Sequence, residues 1–472
     1  MIMETAGKVS QRMILFILGA LLQALLAVFA WTLNNPVFLI GGFVTAFFFV
    51  AIIVDYRAVF IAAAFVTVTL DADILGKFFV VPALGLNLYA MDFVLLFAAC
   101  AWVTNMSLGG RHERSSTSLK LPVVLFLCSL PFFVGVGLSH GITLKNALAD
   151  MRTFAYYCSF FFILGLVRTR KDLYFLFWAT IILGMLGMIT QIAYSLSRIG
   201  YDADTGKAVF FQRITGAQEG TFPMLFVASA AMLPFVHSVE KKVTLLVCNF
   251  LSMIALFLSL TRGSWLAAIV VGALLAVLLY KFVPASRKYF RILLLSALGI
   301  GVIIFILYLF DMLSLNLFFV RISILSSKKL DTSTLIRFTE WKLAYDLFIE
   351  HPLTGIGLGY IYKFFAIGLG NVEHTFIHNS YLYVLSKMGL IGLTLFLAVF
   401  GTALVVWYKL LSRFKGTDDL GLALAFGLML IVMMFKSLTT WHLNDLNLAL
   451  YVGCLLGAIG AMQAWTRKDD AR

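Results

Sequence analysis

The sequence predicts an all-α polytopic integral membrane protein with about 12–14 transmembrane helices. It also predicts one large extracytoplasmic loop, residues 313–377, which contains an amphipathic helix. Apolar residues make up 62% of the chain and charged residues only 12%, and a soluble domain could not bury so much apolar surface. The apolar residues form continuous runs long enough to cross a bilayer, unlike the short alternating segments of a membrane-spanning barrel.

Each long apolar run is interpreted as one span, although the run at 57–70 is short and the run at 378–408 is long. The first run follows Lys8 and Arg12, as in a signal peptide. Its length and the lack of a small-residue cleavage site favour a retained span. The predicted spans lie at 13–33, 36–54, 57–70, 88–105, 121–139, 147–167, 173–195, 222–238, 243–260, 264–283, 290–312, 378–408, 419–436 and 446–465.

The distribution of Lys and Arg predicts the orientation. With the N-terminus in the cytoplasm, most of the 36 Lys and Arg residues fall in loops on the cytoplasmic side, as the positive-inside rule requires. Both termini are therefore expected in the cytoplasm and the 313–377 loop outside. The net charge of +13 reflects this topology, so no nucleic-acid partner is expected. All five cysteines lie within apolar runs, which indicates neither a disulfide framework nor a metal site.

Charged residues at the ends of spans are the first candidates for a functional role. Asp150 and Arg152 stand at the start of the 147–167 run. They are either a snorkelling pair at the membrane interface or part of an outward polar patch that serves an active site. Arg213 precedes a later span. Taken alone, it is as consistent with an interfacial anchor as with a functional residue. Arg262, in TRGSW, stands where an arginine can bind phosphate oxygens with its planar guanidinium group. An interfacial anchor is the alternative.

The outward loop is predicted to contain a helix that starts at the capping residue Asp331 and stops at His351 and Pro352. Arg337 and Trp341 are four residues apart and share one face of this helix. Its widely spread apolar residues suit a helix that lies on the membrane surface or against other spans. The following TGIGLGY is interpreted as a turning loop that lets the backbone approach another segment. It lacks the preceding strand and the G-x-G-x-x-G of a nucleotide-binding loop.

Two histidines stand just before the next span. His378, followed by Asn379, lies at the lip of the span, where a neutral imidazole can take a proton from a hydroxyl. His374 lies four residues earlier, and with Glu373 the two histidines also resemble part of a metal site. The proton acceptor is the favoured interpretation, because the internal glutamate of the zincin motif and an obvious third ligand are both missing.

Four motifs occur together and in order between residues 255 and 400. They are TRGSW, the R-x-x-x-W of RFTEW, HPLTGIGLG, and HNSYL followed by MGLIGL. With this combination the chain resembles the O-antigen ligase and polymerase superfamily of bacterial envelope enzymes. The expected organisation is N-terminal transmembrane helices at 1–254, a ligase-like catalytic region at 255–410 and C-terminal transmembrane helices at 411–472.

The resemblance implies a glycosyltransferase of the bacterial inner membrane whose active site faces the periplasm. Enzymes of this family move a glycan from undecaprenyl diphosphate to an acceptor hydroxyl, with inversion at the anomeric carbon. No metal and no other cofactor is expected. The expected partners are the undecaprenyl-diphosphate-linked donor, an acceptor on lipid A-core or on another glycan, and membrane lipids.

The resemblance also assigns roles to residues that match the motifs. His378 matches the general base, and Arg262 and Arg337 match the residues that bind the diphosphate. Arg213 matches less closely, because QRITGAQEGTFP lacks the asparagine expected after the glycine. The neighbouring Trp341 and Asn379 are further candidates for substrate contact.

Several functions stay open at this point. A ligase is favoured over a repeat-unit polymerase of the same family, because one compact long loop dominates the outer face. A lipid-oligosaccharide flippase or another transporter is the main alternative from a different class, followed by a non-catalytic membrane scaffold. Transporters usually carry charged residues across several spans and have internal repeats, whereas the polar residues of this chain lie mainly on one side.

Overall fold

The computed structural model describes residues 116–167, 169–197, 220–259, 261–283, 332–366 and 370–470, with isolated residues and short segments elsewhere. The predicted spans at 13–33, 36–54 and 290–312 lie outside the described residues, and those at 57–70 and 88–105 are covered only by isolated residues. Arg213 and the first part of the outward loop, 313–331, also lie outside them.

The described chain is mostly helical, as expected for continuous apolar runs that must satisfy their backbone polar groups internally. The helices are α1 Lys120–Ser139, α2 Leu144–Ala155, α3 Ser159–Leu166, α4 Arg170–Ser197, α5 Thr221–Met232, α6 Val239–Ser259, α7 Arg262–Phe282, α8 Thr332–Glu350, α9 Ser380–Arg413, α10 Asp419–Lys436 and α11 Leu446–Asp470. Short 3₁₀ turns occur at Tyr156–Cys158, Leu233–Phe235 and His442–Asn444.

Three short antiparallel hairpins interrupt the helices in the described part of the chain. The strands are β1 Val81–Ala83 with β2 Leu86–Leu88, β3 Ile199–Tyr201 with β4 Ala208–Phe210, and β5 Tyr362–Ala366 with β6 Gly370–His374. The third hairpin adjoins the predicted site, because β6 ends at His374 and the chain then continues to the start of α9.

Among the described residues, seven helices are long and apolar enough to cross a membrane, namely α1, α4, α6, α7, α9, α10 and α11. The predicted fold class, an all-α polytopic membrane protein, is therefore confirmed. Two predicted spans differ from expectation. The run at 222–238 forms the shorter apolar helix Thr221–Phe235, and the run at 147–167 is divided between α2 and α3 by the turn at Tyr156–Cys158.

Helices α10 and α11 form the centre of the described bundle. In their most apolar stretches 83% and 89% of the residues are buried within the protein, against 33% in α1 and in α7. α10 packs against α5 and α7, and α11 packs against α3. The less buried helices present apolar side chains outward, which is favourable because lipid tails are as apolar as leucine.

The long apolar run at 378–408 is explained by a break inside α9. Gly389 has φ 61° and ψ −164°, a conformation that a residue with a Cβ rarely adopts. The break separates a short helix at 380–388 from a span at 390–413. The ring of Tyr381 in the first part lies 6.4 Å from that of Phe396 in the second. The two parts therefore fold towards each other.

The glycine-rich loop after α8 packs directly against this break. The N–H groups of Leu390 and Ile391 donate to the carbonyls of Pro352 and Leu353. In return, the N–H groups of the loop at 356 and 357 donate to the carbonyls of residues 386 and 387. A Cβ at Gly357 would lie 2.1 Å from the backbone nitrogen of residue 137. The close backbone approach predicted from the glycine spacing is therefore confirmed.

Asp150 makes a buried ion pair with Lys387 of α9. The same carboxylate oxygen accepts a hydrogen bond from the N–H of Gly359, 2.6 Å away. Arg152 instead pairs with Asp92, at 3.5 Å. Of the two interpretations offered for Asp150 and Arg152, the snorkelling interfacial pair is therefore wrong for Asp150. A buried carboxylate needs a cation and hydrogen-bond donors, and tertiary packing supplies both.

Helix α8 confirms the helix predicted in the outward loop, with bounds Thr332–Glu350. It contacts α9 and buries Ala344 and Leu347. Phe338, Tyr345 and Ile349 are exposed. This distribution fits a helix that rests on the spans with one face and leaves apolar side chains available to a lipid surface on another.

Candidate active site

The start of α9 is fixed by the residue after His378. The Oδ1 atom of Asn379 accepts hydrogen bonds from the N–H groups of Tyr381 and Leu382, at 2.9 and 3.0 Å. This is the N-cap arrangement that satisfies the free donors of a first helical turn. The Nδ2 atom donates to the carbonyl of Leu438, 3.0 Å away. The amide of Asn379 thus anchors the helix start to the segment after α10 and holds His378 beside it.

A single buried carboxylate joins the two predicted histidines. Glu340 of α8 is fully buried, and its Oε2 atom accepts from both the backbone N–H and Nδ1 of His378, at 2.9 and 2.8 Å. Its Oε1 atom lies 3.0 Å from Nδ1 of His374. Burial by itself raises the pKa of the Glu340 carboxyl. The hydrogen bonds from the histidines outweigh that effect, and the pKa lies below its ordinary value.

Glu373, which the sequence places beside the histidines, does not take part in this cluster. In the β5–β6 hairpin it stands opposite Lys363, and the two side chains form an exposed ion pair at 2.8 Å. Successive side chains of a strand point to opposite faces. Glu373 therefore faces away from the side on which His374 meets Glu340.

Aromatic rings enclose the histidines. The ring of Trp441 lies 4.8 Å from that of His378, at an interplanar angle of 73°. Phe376 stacks on His374 at 5.1 Å and contacts Trp441 at 3.9 Å. The side chain of His378 still keeps 23% of its surface exposed. The ring is thus held in place on several sides and open on the rest.

Trp341, predicted from the R-x-x-x-W motif, lies directly at His378. Its Nε1 atom donates to the carbonyl of His378, 3.2 Å away. Arg337 lies one turn earlier on the same helix and is partly buried. Helix α8 therefore brings Glu340 and Trp341 to His378, and both side chains bind its backbone.

Arg262 lies on one side of the segment 436–441 at the end of α10, and Asn379 and His378 lie on the other. It is the first residue of α7, and a Cβ at the next residue, Gly263, would lie 2.9 Å from Oγ1 of Thr439. Lys436 is fully buried and donates to Oγ of Ser264 at 2.7 Å. Residues 436–441 therefore contact the start of α7 on one side, and they contact Asn379 and His378 through Leu438 and Trp441 on the other.

Sequence reasoning missed three residues of this arrangement: Glu340, Lys436 and Trp441. Glu340 carried a readable signal, since a carboxylate three residues after Arg337 lies on the same face of the motif helix as that arginine. Lys436 carried a weaker one, because an ionisable residue at the end of a span is costly and often functional. Trp441 had no distinguishing signal among the aromatic residues of the chain.

Comparison with known protein families bears on this region. Residues 247–397 match the family described as O-antigen ligase. This segment is similar to O-antigen ligases. The match extends from α6 to the first half of the span in α9, and it includes Arg262, Arg337, Glu340 and His378. The resemblance stated from the four motifs is thereby confirmed.

The O-antigen ligase match indicates a membrane function in glycan transfer during surface polysaccharide synthesis. No curated protein matches the sequence. The roles of individual residues stay predictions, and so do the divisions of the chain at 254 and 410.

Proposed function

We propose that this protein transfers a glycan from an undecaprenyl-diphosphate donor to an acceptor hydroxyl at the outer face of the bacterial inner membrane, as an O-antigen ligase. His378 acts as the general base. The observation that carries the proposal is the placement of a partly exposed histidine on a buried carboxylate, at the end of a membrane helix. A second copy of this arrangement is not present among the described residues.

The transfer needs a base for the acceptor and a place for the leaving group. His378 takes the proton of the acceptor hydroxyl while its oxygen attacks the anomeric carbon of the donor. The bond from that carbon to the diphosphate oxygen breaks, with inversion, and undecaprenyl diphosphate leaves with the electron pair. Arg262 and Arg337 stabilise the negative charge that grows on the diphosphate in the transition state.

An apolar cavity beside the site supports a lipid-linked donor. Its volume is about 500 Å³, and it opens between the two parts of α9 and helix α10. Tyr381 belongs both to this cavity and to the helix turn capped by Asn379. The cavity is lined by Tyr381, Leu404, Trp407, Tyr408, Ile431, Met434, Phe435 and Leu438. A polyprenyl chain lying there would place its diphosphate near the start of α9.

The test is transfer by the purified protein in lipid nanodiscs, with a labelled lipid-linked donor and a lipid A-core acceptor. His378→Ala should lower turnover about 10²–10⁴-fold, the usual cost of losing a general base, while the donor still binds. His237→Ala, which changes an exposed histidine outside the family match, is the matched control. Unchanged turnover in His378→Ala would contradict the proposed base.

The acceptor separates a ligase from a polymerase of the same family. A ligase forms product only when lipid A-core is supplied. A polymerase lengthens the lipid-linked glycan when the donor is supplied alone, and that result would replace the ligase with the polymerase.

A further inference from the structure

We propose that Glu340 is a positioning residue of the transfer reaction, which directs Nε2 of His378 towards the acceptor hydroxyl by holding the proton on Nδ1. This inference rests on the proposed function and extends it to one atom. It also assigns His374 a part, as the second donor that fixes the Glu340 carboxylate.

The hydrogen-bond partners determine which nitrogen of His378 carries the proton. The pKa of the Glu340 carboxyl lies below its ordinary value, so the group is ionised near neutral pH and can only accept hydrogen bonds. Nδ1 of His378, 2.8 Å from Oε2, must therefore be the donor. In the neutral ring the lone pair is then on Nε2, which makes Nε2 the atom able to take a proton.

The same carboxylate fixes where the ring points. Oε2 of Glu340 also accepts from the backbone N–H of His378, at 2.9 Å, so one oxygen holds the main chain and the side chain together. Trp341 holds the carbonyl of His378 from the same helix, and Trp441 lies against the ring. Rotation of the imidazole by half a turn would break the bond to Oε2 and leave a buried charge with fewer donors.

Glu340 also affects the charge that appears during the reaction. When Nε2 accepts the proton, the ring becomes an imidazolium directly beside an ionised carboxylate in a site closed to water on that side. An opposite charge at hydrogen-bond distance stabilises the charged form of the ring. The neutral ground state gains less, so the contact favours proton transfer.

His374 holds the other carboxylate oxygen. Its Nδ1 atom lies 3.0 Å from Oε1 of Glu340, and its ring stacks on Phe376 with an interplanar angle of 13°. With donors on both oxygens the carboxylate cannot turn away from His378. Among the described residues, the other charged groups near the cluster are Arg337 on α8 and Asp445, which accepts from Trp441 at 3.0 Å. The Lys363–Glu373 pair lies on the exposed face of the hairpin.

The experiment compares Glu340→Gln with Glu373→Gln. Both substitutions replace a carboxylate by an isosteric amide close to His374. Only the carboxylate of Glu340 contacts the imidazole rings of His374 and His378. For Glu340→Gln we expect kcat to fall about 10²-fold with little change in the KM for the donor. The amide can donate to Nδ1 and so place the ring proton on Nε2. We also expect the rising limb of the pH–rate profile to move to lower pH, because the adjacent negative charge that favours the protonated ring is lost. Glu373→Gln should keep the wild-type profile.

A second readout does not depend on turnover. Diethyl pyrocarbonate modifies unprotonated imidazole, and mass spectrometry of the peptide that contains residue 378 gives the extent of modification at each pH. In Glu340→Gln the midpoint of this curve should move to lower pH by the same amount as the rate profile. Glu340→Asp keeps the negative charge on a side chain that is shorter by one methylene, so the carboxylate lies further from the rings. It should give intermediate results, and it serves as the test variant if Glu340→Gln does not fold.

Wild-type kcat in the Glu340 variants would overturn the inference. So would a loss of activity in which the modification curve of residue 378 stays at its wild-type position, since Glu340 would then have only a structural role. Failure of the proposed function is recognised separately, by full transfer in His378→Ala. In that case the modification curve still reports whether Glu340 controls the protonation of His378.

Discussion

Breaking the ion pair between Asp150 and Lys387 is expected to destabilise the bundle strongly. Lys387 is fully buried, and its ammonium group donates to Asp150, to the carbonyl of Thr375 at 3.0 Å and to the hydroxyl of Tyr383 at 3.2 Å. Lys387→Met keeps the apolar stem of the side chain and removes these three contacts. The carboxylate of Asp150 then stays buried without its cation, although the N–H of Gly359 still donates to it.

The magnitude follows from burial. Removing one partner of a buried pair costs about 3–5 kcal/mol, because an uncompensated charge is left in the protein interior. The control is Lys363→Met at the exposed pair with Glu373, whose side chains are 69% and 60% exposed. Exposed pairs of this kind contribute about 0–1 kcal/mol. The double variant Asp150→Asn with Lys387→Met removes both buried charges and should regain part of the loss.

The assay is thermal unfolding of the purified variants in one detergent, followed by tryptophan fluorescence. The melting temperature should be close to wild type for Lys363→Met, lower for the double variant and lowest for Lys387→Met. Activity should fall with it, because Thr375 lies three residues before His378. Equal melting temperatures for Lys387→Met and Lys363→Met would refute the reasoning, since the buried pair would then contribute no more than an exposed one.

Further predictions concern charge, topology and pH. Arg262→Lys and Arg337→Lys keep the charge but lose the planar fork, so each should cost about 2–4 kcal/mol of transition-state stabilisation; near-normal transfer would mean that the arginine is an interfacial anchor. A cysteine introduced at Gly370 should react with membrane-impermeant reagents in intact cells, and one at Ser118 only after lysis; the reverse result would invert the orientation. The lowered pKa of Glu340 stabilises the fold above the unfolded carboxyl value of about 4.3, and this contribution is lost as the pH falls through the folded value. The wild type should therefore lose more stability on acidification than Glu340→Gln, and parallel unfolding curves for the two proteins would contradict this.

The candidate site shows how far sequence reasoning reaches when residues lie close along the chain. Arg337 and Trp341 were predicted to share a helix face, and the structure places both on α8. His378 was predicted at the lip of a span, and it stands one residue before the N-cap of α9. These predictions depend on helical periodicity and on where apolar runs end, and both are local properties of the chain.

The choice of carboxylate could not be predicted in the same way. Glu373 adjoins His374 in the sequence, yet strand alternation turns it towards Lys363. Glu340 precedes the histidines by 34 and 38 residues and still binds both. Which carboxylate faces the rings depends on how α8 docks on α9 and on the register of the hairpin, and neither is encoded by the spacing of the motifs.

The amino-acid sequence by itself determined that this chain forms apolar helices, where most of them begin and end, and which segment interrupts them. Hydropathy and helix signals act between near neighbours, so they can be read in order along the chain. The tertiary structure alone decided that α9 breaks at Gly389, that Lys387 meets Asp150 and that Glu340 joins two histidines. A glycine within an apolar run is compatible with an unbroken helix. A buried charge can be paired only with a group that folding brings to it, in one case from 237 residues away.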